Sequence, residues 1–182
     1  MPPTIVGTSE PDILQGTPGT DVISGLGGAD SIFGSSGVNA RDFLCGDHGD
    51  EIIFGADGPD LVAGGAGDDF LSGDNGNDTI YGGPGRDTLG GEDGRDILLG
   101  NAGNDELEGD GADDRLVGGD GGDDLFGEPG EDTLVGGPGP DSLDGGSGDD
   151  VLDATDGVSG NDFVDGGTGV DQCMADPGDT VV

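Results

Sequence analysis

Basic residues are nearly missing from this chain: four Lys and Arg stand against 41 acids, for a formal net charge of −37. A surface so short of cations excludes nucleic acid and anionic membranes as partners, since both are held by Lys and Arg. Trp is absent and aromatics make up 4% of residues, so no large aromatic core is available. The two cysteines, Cys45 and Cys173, are too few for a disulfide framework and form no paired metal-ligand motif. The lone His48 has no second His or Cys beside it and reads as a turn residue. No apolar run reaches the length that crosses a bilayer. The opening MPPTIVG lacks the charged-then-apolar pattern of a leader, so any export signal is expected outside this stretch. Finally, no HExxH, nucleophile elbow or phosphate loop occurs, and no catalysis is expected.

What the chain does have is glycine, 45 of 182 residues, and acid. Composition alone describes a disordered polyanion with too little apolar surface to offset ordering entropy. The order of the residues argues otherwise. Residues 82–99 read GGPGRDTLG and GEDGRDILL, two blocks of nine with Gly at the first and fourth places, Asp at the sixth and Leu at the eighth. Followed from Gly7, the chain divides into 18 full blocks, sixteen of nine residues and two of twelve, then a partial block ADPGDTVV. Residues 1–6 form a lead-in and 7–182 a single repeat domain. The first place is Gly except at Ala154, and the fourth is Gly except at Glu10 and Ala112. The eighth is aliphatic except at Cys173.

The period excludes the other glycine-rich or acidic architectures. Collagen needs Gly at every third residue. An EF-hand needs a twelve-residue loop between helices, and glycine this dense disfavours helix by about 1 kcal/mol per residue. Six-residue glycine turns followed by three-residue strands are the mark of a solenoid.

These blocks resemble the repeats-in-toxin (RTX) nonapeptide GGxGxDxUx, and the likeness runs over residues 7–182. TIVGT followed by GTPGTDVISGLGGAD also resembles the start of such arrays in secreted bacterial proteins. The resemblance implies an all-β parallel β-roll with two repeats per coil, about nine coils in all, in which odd and even repeats stack as two parallel sheets. It implies many Ca²⁺ ions, held by the acid at the sixth place of each repeat and by turn carbonyls. In this chain those acids are Asp12, Asp21, Asp30, Asp42, Glu51, Asp60, Asp69, Asp78, Asp87, Asp96, Asp105, Asp114, Asp123, Asp132, Asp141, Asp150, Asp162 and Asp171.

Stacking sets the acids of repeats n and n+2 about 4.8 Å apart. Two bare carboxylates there repel by about 3 to 4 kcal/mol at an effective dielectric of 20. A hard divalent cation reverses that sign and accepts six to eight oxygens in forgiving geometry. Eighteen repeats give sixteen such pairs, and sixteen Ca²⁺ would bring +32 against −37. Sites beside Glu51, Glu10, Ala112 and the insertions near Val38 to Ala40 and Val158 to Gly160 are expected to be weak. Lanthanides, hard and close to Ca²⁺ in size, are expected to enter the same sites.

With two core aliphatics per coil, folding is expected to be coupled to metal binding and to follow export into extracellular calcium. The alternative is a non-catalytic structural, adhesive or export segment of a larger secreted protein. The third and fifth places (Ser9, Pro18, Gly27; Pro11, Thr20, Ala29) carry no matched Thr or Asn ladder of the kind that marks an ice-binding branch.

Strand places seven and nine are expected to face outward. On even repeats these include Val22, Phe43, Leu61, Tyr81, Ile97, Leu99 and Val117, an apolar stripe expected to seat a second copy or a neighbouring domain. Odd repeats begin apolar (Ile13, Phe33, Ile52, Phe54, Phe70) and turn acidic (Glu106, Glu108, Asp124). Cys45 and Cys173, seven coils apart, are expected about 34 Å from one another and unable to pair.

Overall fold

A computed structural model describes residues 4–37 and 40–182. No α-helix occurs among them: the chain climbs as twenty short strands, β1 (Thr4–Val6) to β20 (Thr180–Val181). The odd-numbered strands form one ten-stranded sheet and the even-numbered strands a second, each in the order of the chain. Every pairing is parallel, as in β9 (Thr79–Pro84) to β11 (Ile97–Ala102), where Leu98 faces Ile80. The fold is the parallel β-roll that the resemblance implies, with two repeats to a coil.

Two elements lie beyond the full repeats. Thr4–Val6 pairs with β3 (Val22–Ser24), and Thr180–Val181 pairs with β18 (Phe163–Asp165). Each sheet therefore has ten strands where nine coils supply nine. Seven strands also run longer than the expected three residues: β4 (Ser31–Ser35) and β6 (Ile52–Ala56) span five, and β5 (Phe43–His48), β7 (Leu61–Ala66), β9, β11 and β13 (Arg115–Asp120) span six, reaching into the following turn.

Alternation decides which side chain goes in. In Arg115-Leu116-Val117 only Leu116 is buried, and the eighth-place residues from Leu14 to Val164 form one continuous core. That core is one side chain thick on each sheet, so no residue can leave it without exposing its neighbours above and below. Cys173, at the eighth place of the last full repeat, is not buried as the other residues at that place are. It is only partly buried against the end of the core, because the last coil has no complete neighbour beyond it. Both cysteines are free.

On the outward face of the first sheet Phe43, Tyr81 and Ile97 are each about two-fifths exposed. On the second, Phe33 stacks on Phe54 with ring centroids 5.7 Å apart, and Phe54 leans on Phe70 at 5.9 Å. The insertion at Val158 to Gly160 turns outward, with Val158 exposed. Of the other insertion, Val38 and Asn39 lie outside the described residues, while Ala40 is buried and donates its N–H to Gly37 O at 2.7 Å.

Candidate metal centres

The sixth-place acids stack where each turn enters its strand. From Asp21 to Asp162 every one is buried, a placement that ionised carboxylates tolerate only when paired or bonded. Half of the explanation is a side-chain ladder between coils. Asp78 N–H donates to Asp96 Oδ1 at 2.7 Å, and Asp96 N–H to Asp114 Oδ1 at 2.7 Å. The same link joins Asp12 to Asp30, Asp42 to Asp60, Asp69 to Asp87, Asp87 to Asp105, Asp105 to Asp123 and Asp123 to Asp141. It also joins Asp114 to Asp132 and on to Asp150, and crosses the insertions from Asp21 to Asp42, Asp141 to Asp162 and Asp150 to Asp171. Each acid from Asp30 to Asp171, Glu51 excepted, thus gives one oxygen to the backbone of the coil before it, a use that sequence reasoning missed.

The other oxygen is the unexplained half. Oδ2 of Asp30, Asp60, Asp69, Asp78, Asp87, Asp96, Asp105, Asp114, Asp123, Asp132, Asp141, Asp150 and Asp162 is buried without a hydrogen-bond donor. One such oxygen would be an accident; thirteen at one structural position are a design that anticipates a positive charge. The turn leaves room at the same point. A Cβ on the first-place Gly64, Gly82 or Gly100 would run into Oδ2 of Asp69, Asp87 or Asp105, so only glycine fits there. Among the described residues no three acidic, His or Cys side chains converge as a cluster. The resemblance implies that turn carbonyls supply the remaining oxygens of a cation site, a hard all-oxygen set that fits Ca²⁺.

Glu51 breaks the ladder. Both of its carboxylate oxygens are buried without a donor, and the link from Asp30 is missing. Its extra methylene carries the head past the ladder position, although its own N–H still reaches Asp69 Oδ1 at 2.8 Å. Asp171 lies only half-buried in the final coil. Glu10 and Ala112 keep their coils stacked, and Ala112 adopts φ +94° in the place of a glycine.

Two further features carried no sequence signal. An outer ladder at the fifth place links Asp68 N–H to Asp50 Oδ1 at 3.0 Å and Arg86 N–H to Asp68 Oδ1 at 2.9 Å. Asp179, in the partial block, holds Gly160 N–H at 2.7 Å on one oxygen and Asp176 N–H at 2.6 Å on the other. It closes the last turn from a shortened repeat, where a count of nine does not find it.

Burial raises the carboxyls of Asp60, Asp78, Asp87, Asp114, Asp132 and Asp141 to about 7. It raises Asp96 and Asp123 to about 6, and Glu51 and Asp69 in the same direction. The N–H donated by the preceding coil opposes the rise at the aspartates. In the unfolded chain these groups titrate near 4. The folded form therefore binds more protons, and its penalty is full above pH 7 and relieved as pH falls from about 7 toward 4. Without metal, acid should promote the roll. Far-UV circular dichroism in chelator should gain β signal between pH 8 and pH 5, and a flat profile would contradict that sign.

Stacked parallel coils with a carboxylate buried at the turns from Asp21 to Asp162 define a parallel β-roll with acidic turns. The model of the RTX calcium-binding nonapeptide repeat matches residues 6–40, 54–89, 90–125, 126–158 and 156–182, and the chain belongs to that family. Comparison with curated proteins returns no match. The family is a structural repeat type that binds calcium, not an enzyme class.

Proposed function

We propose that this protein is a secreted calcium-binding module that folds when the cation reaches its turns, with the sixth-place acids as ligands. The observation that carries the reading is the row of thirteen buried Oδ2 atoms without a donor. Bound calcium supplies the positive charge that offsets their mutual repulsion. The chain's own part is to hold each carboxylate by Oδ1, aim Oδ2 at the turn, and keep side chains out of that space with glycine. Metal-free at neutral pH, the ladder leaves a column of buried anions that the slim core cannot offset. Folding outside the cell follows, because cytoplasmic calcium is too scarce to fill such sites. Chelation at pH 7.5 is expected to expand the chain to a radius of gyration of about 45 Å, that of an unfolded polymer of this length. Small-angle scattering that stayed compact in chelator would refute the coupling.

A second reading, a stiffening or adhesive segment of a larger exported protein, is favoured by the half-exposed Phe43, Tyr81 and Ile97 on one outward face. A second copy or a neighbouring domain would cover that row. Both readings use the same calcium chemistry.

A further inference from the structure

The turns are not alike at their second place. Leu26, Asp47, Ala56, Asp74, Glu92, Asn101, Asp110 and Glu128 all stand there in the left-handed region, φ +65° to +77°. None of the eight is glycine, and Leu, Ala and Glu in particular resist that conformation. The left-handed residue turns its N–H away from the sixth-place acid: Ala56 N–H goes to Asp74 Oδ2 at 3.1 Å, and Leu26 N–H to Asp47 Oδ2 at 3.3 Å, both in the next coil. Inside the same turns, Oδ2 of Asp30 and Asp60 is left without a donor.

Three turns near the amino end do the opposite. Thr8, Thr17 and Ser35 occupy the second place outside the left-handed region. Their N–H groups point inward and donate to the Oδ2 that is bare elsewhere: Thr8 to Asp12 at 2.6 Å, Thr17 to Asp21 at 2.6 Å, Ser35 to Asp42 at 3.0 Å. The hydroxyls add a second donor, Thr8 Oγ1 to Asp12 Oδ2 at 2.9 Å, Thr17 Oγ1 to Asp21 Oδ2 at 3.1 Å and Ser35 Oγ to Asp42 Oδ2 at 3.4 Å. Left-handed backbone is a true outlier for β-branched threonine, so the residue type favours the inward turn. The second place thus acts as a selector between a turn closed by its own amide and hydroxyl and a turn left open for a cation.

We infer that the turns of Thr8, Thr17 and Ser35 bind no calcium, and that the roll begins with a metal-independent cap in which protein donors take the cation's place. The inference rests on the calcium reading of the remaining turns. Three of the sixteen stacked pairs, Asp12 with Asp30, Asp21 with Asp42 and Asp42 with Asp60, then lose at least one ligand oxygen. A hydroxyl residue alone does not suffice. Thr155, in a lengthened turn that opens with Ala154, gives its N–H to Asp153 Oδ1, and Asp162 Oδ2 stays bare. The cap gives the first coils an order that does not wait for ions, a fixed end on which later coils can stack.

The test is anomalous diffraction from crystals of the full chain grown in calcium and soaked in a lanthanide. Peaks are expected beside the thirteen bare Oδ2 atoms and none bonded to Oδ2 of Asp12, Asp21 or Asp42. Peaks at every turn, those three included, overturn the inference and leave the calcium reading standing. Peaks at none overturn both. Native mass spectrometry of the calcium-loaded Thr17→Gly/Ser35→Gly variant supplies a second readout. Glycine frees both second places, and the pairs of Asp21 with Asp42 and Asp42 with Asp60 should take up about one or two additional ions. An unchanged count in a variant with the parent's circular dichroism would also overturn the selector.

Discussion

Gly103→Ala should cost the calcium-loaded roll about 3 kcal/mol or more, among the largest losses any single methyl can produce in this chain. Gly103 is a fourth-place glycine at φ +152°, and a Cβ there would overlap the Gly85 carbonyl oxygen of the coil before it. Neither partner can yield. The carbonyl is backbone, and Gly103 N–H is itself tied to Asp120 O at 2.8 Å. The added carbon would pry two coils apart where the second sheet's turns stack. Thermal unfolding in saturating calcium should fall by about 6 to 12 °C for a domain of this size. Gly111→Ala is the matched control. Its Cβ would meet nothing within 4 Å and its φ lies outside the left-handed region, so the change should stay within about 0.5 kcal/mol. Equal losses at both positions would mean that composition matters and position does not.

Asp96 separates the two jobs of the sixth-place acid. Asp96→Asn keeps an oxygen for Asp78 N–H, 2.7 Å away, but sets a neutral NH2 where the bare Oδ2 stood. The roll should still form in excess calcium with about one or two fewer ions bound, because each acid lies between two neighbours in its stack. Asp96→Ala removes both functions. It leaves a buried N–H unpaired, a further loss of about 1.5 to 3 kcal/mol for a hydrogen bond to a charged group. Calorimetric ion counts and calcium midpoints for the two variants would rank as parent, Asn, Ala. If Asn left the ion count unchanged, Oδ2 would not be a ligand.

The architecture was legible because its period is written in residue types that leave no alternative. Gly at the first and fourth places, Asp at the sixth and an aliphatic at the eighth set the stacking of Leu98 on Ile80 and Leu116. The acids, too, were brought together in the expected two columns. What stayed hidden is what individual atoms do. Nothing in the letters says that Oδ1 of Asp114 is consumed by Asp96 N–H, because the link uses backbone that every residue has. Thr17 and Asp74 hold the same place in the repeat, and only their backbone angles reveal that one turn faces inward and the other out. Ends were hard for a related reason. Thr4–Val6 and Asp179 belong to the roll through pairing, while the repeat around them is missing or shortened. Cys173 kept the register of a core residue but not the burial, since burial depends on a further coil.

The central claim is that the fold waits for its ions. It is tested most directly by titrating calcium into metal-stripped protein at pH 7.5, with far-UV circular dichroism and calorimetry on the same samples. The account predicts a chain that is coil beyond its first few turns at the start, a single cooperative passage to β structure, and about a dozen ions taken up per chain over that same passage. A chain already β-structured in chelator at that pH, or one that saturates with one or two ions, would contradict it.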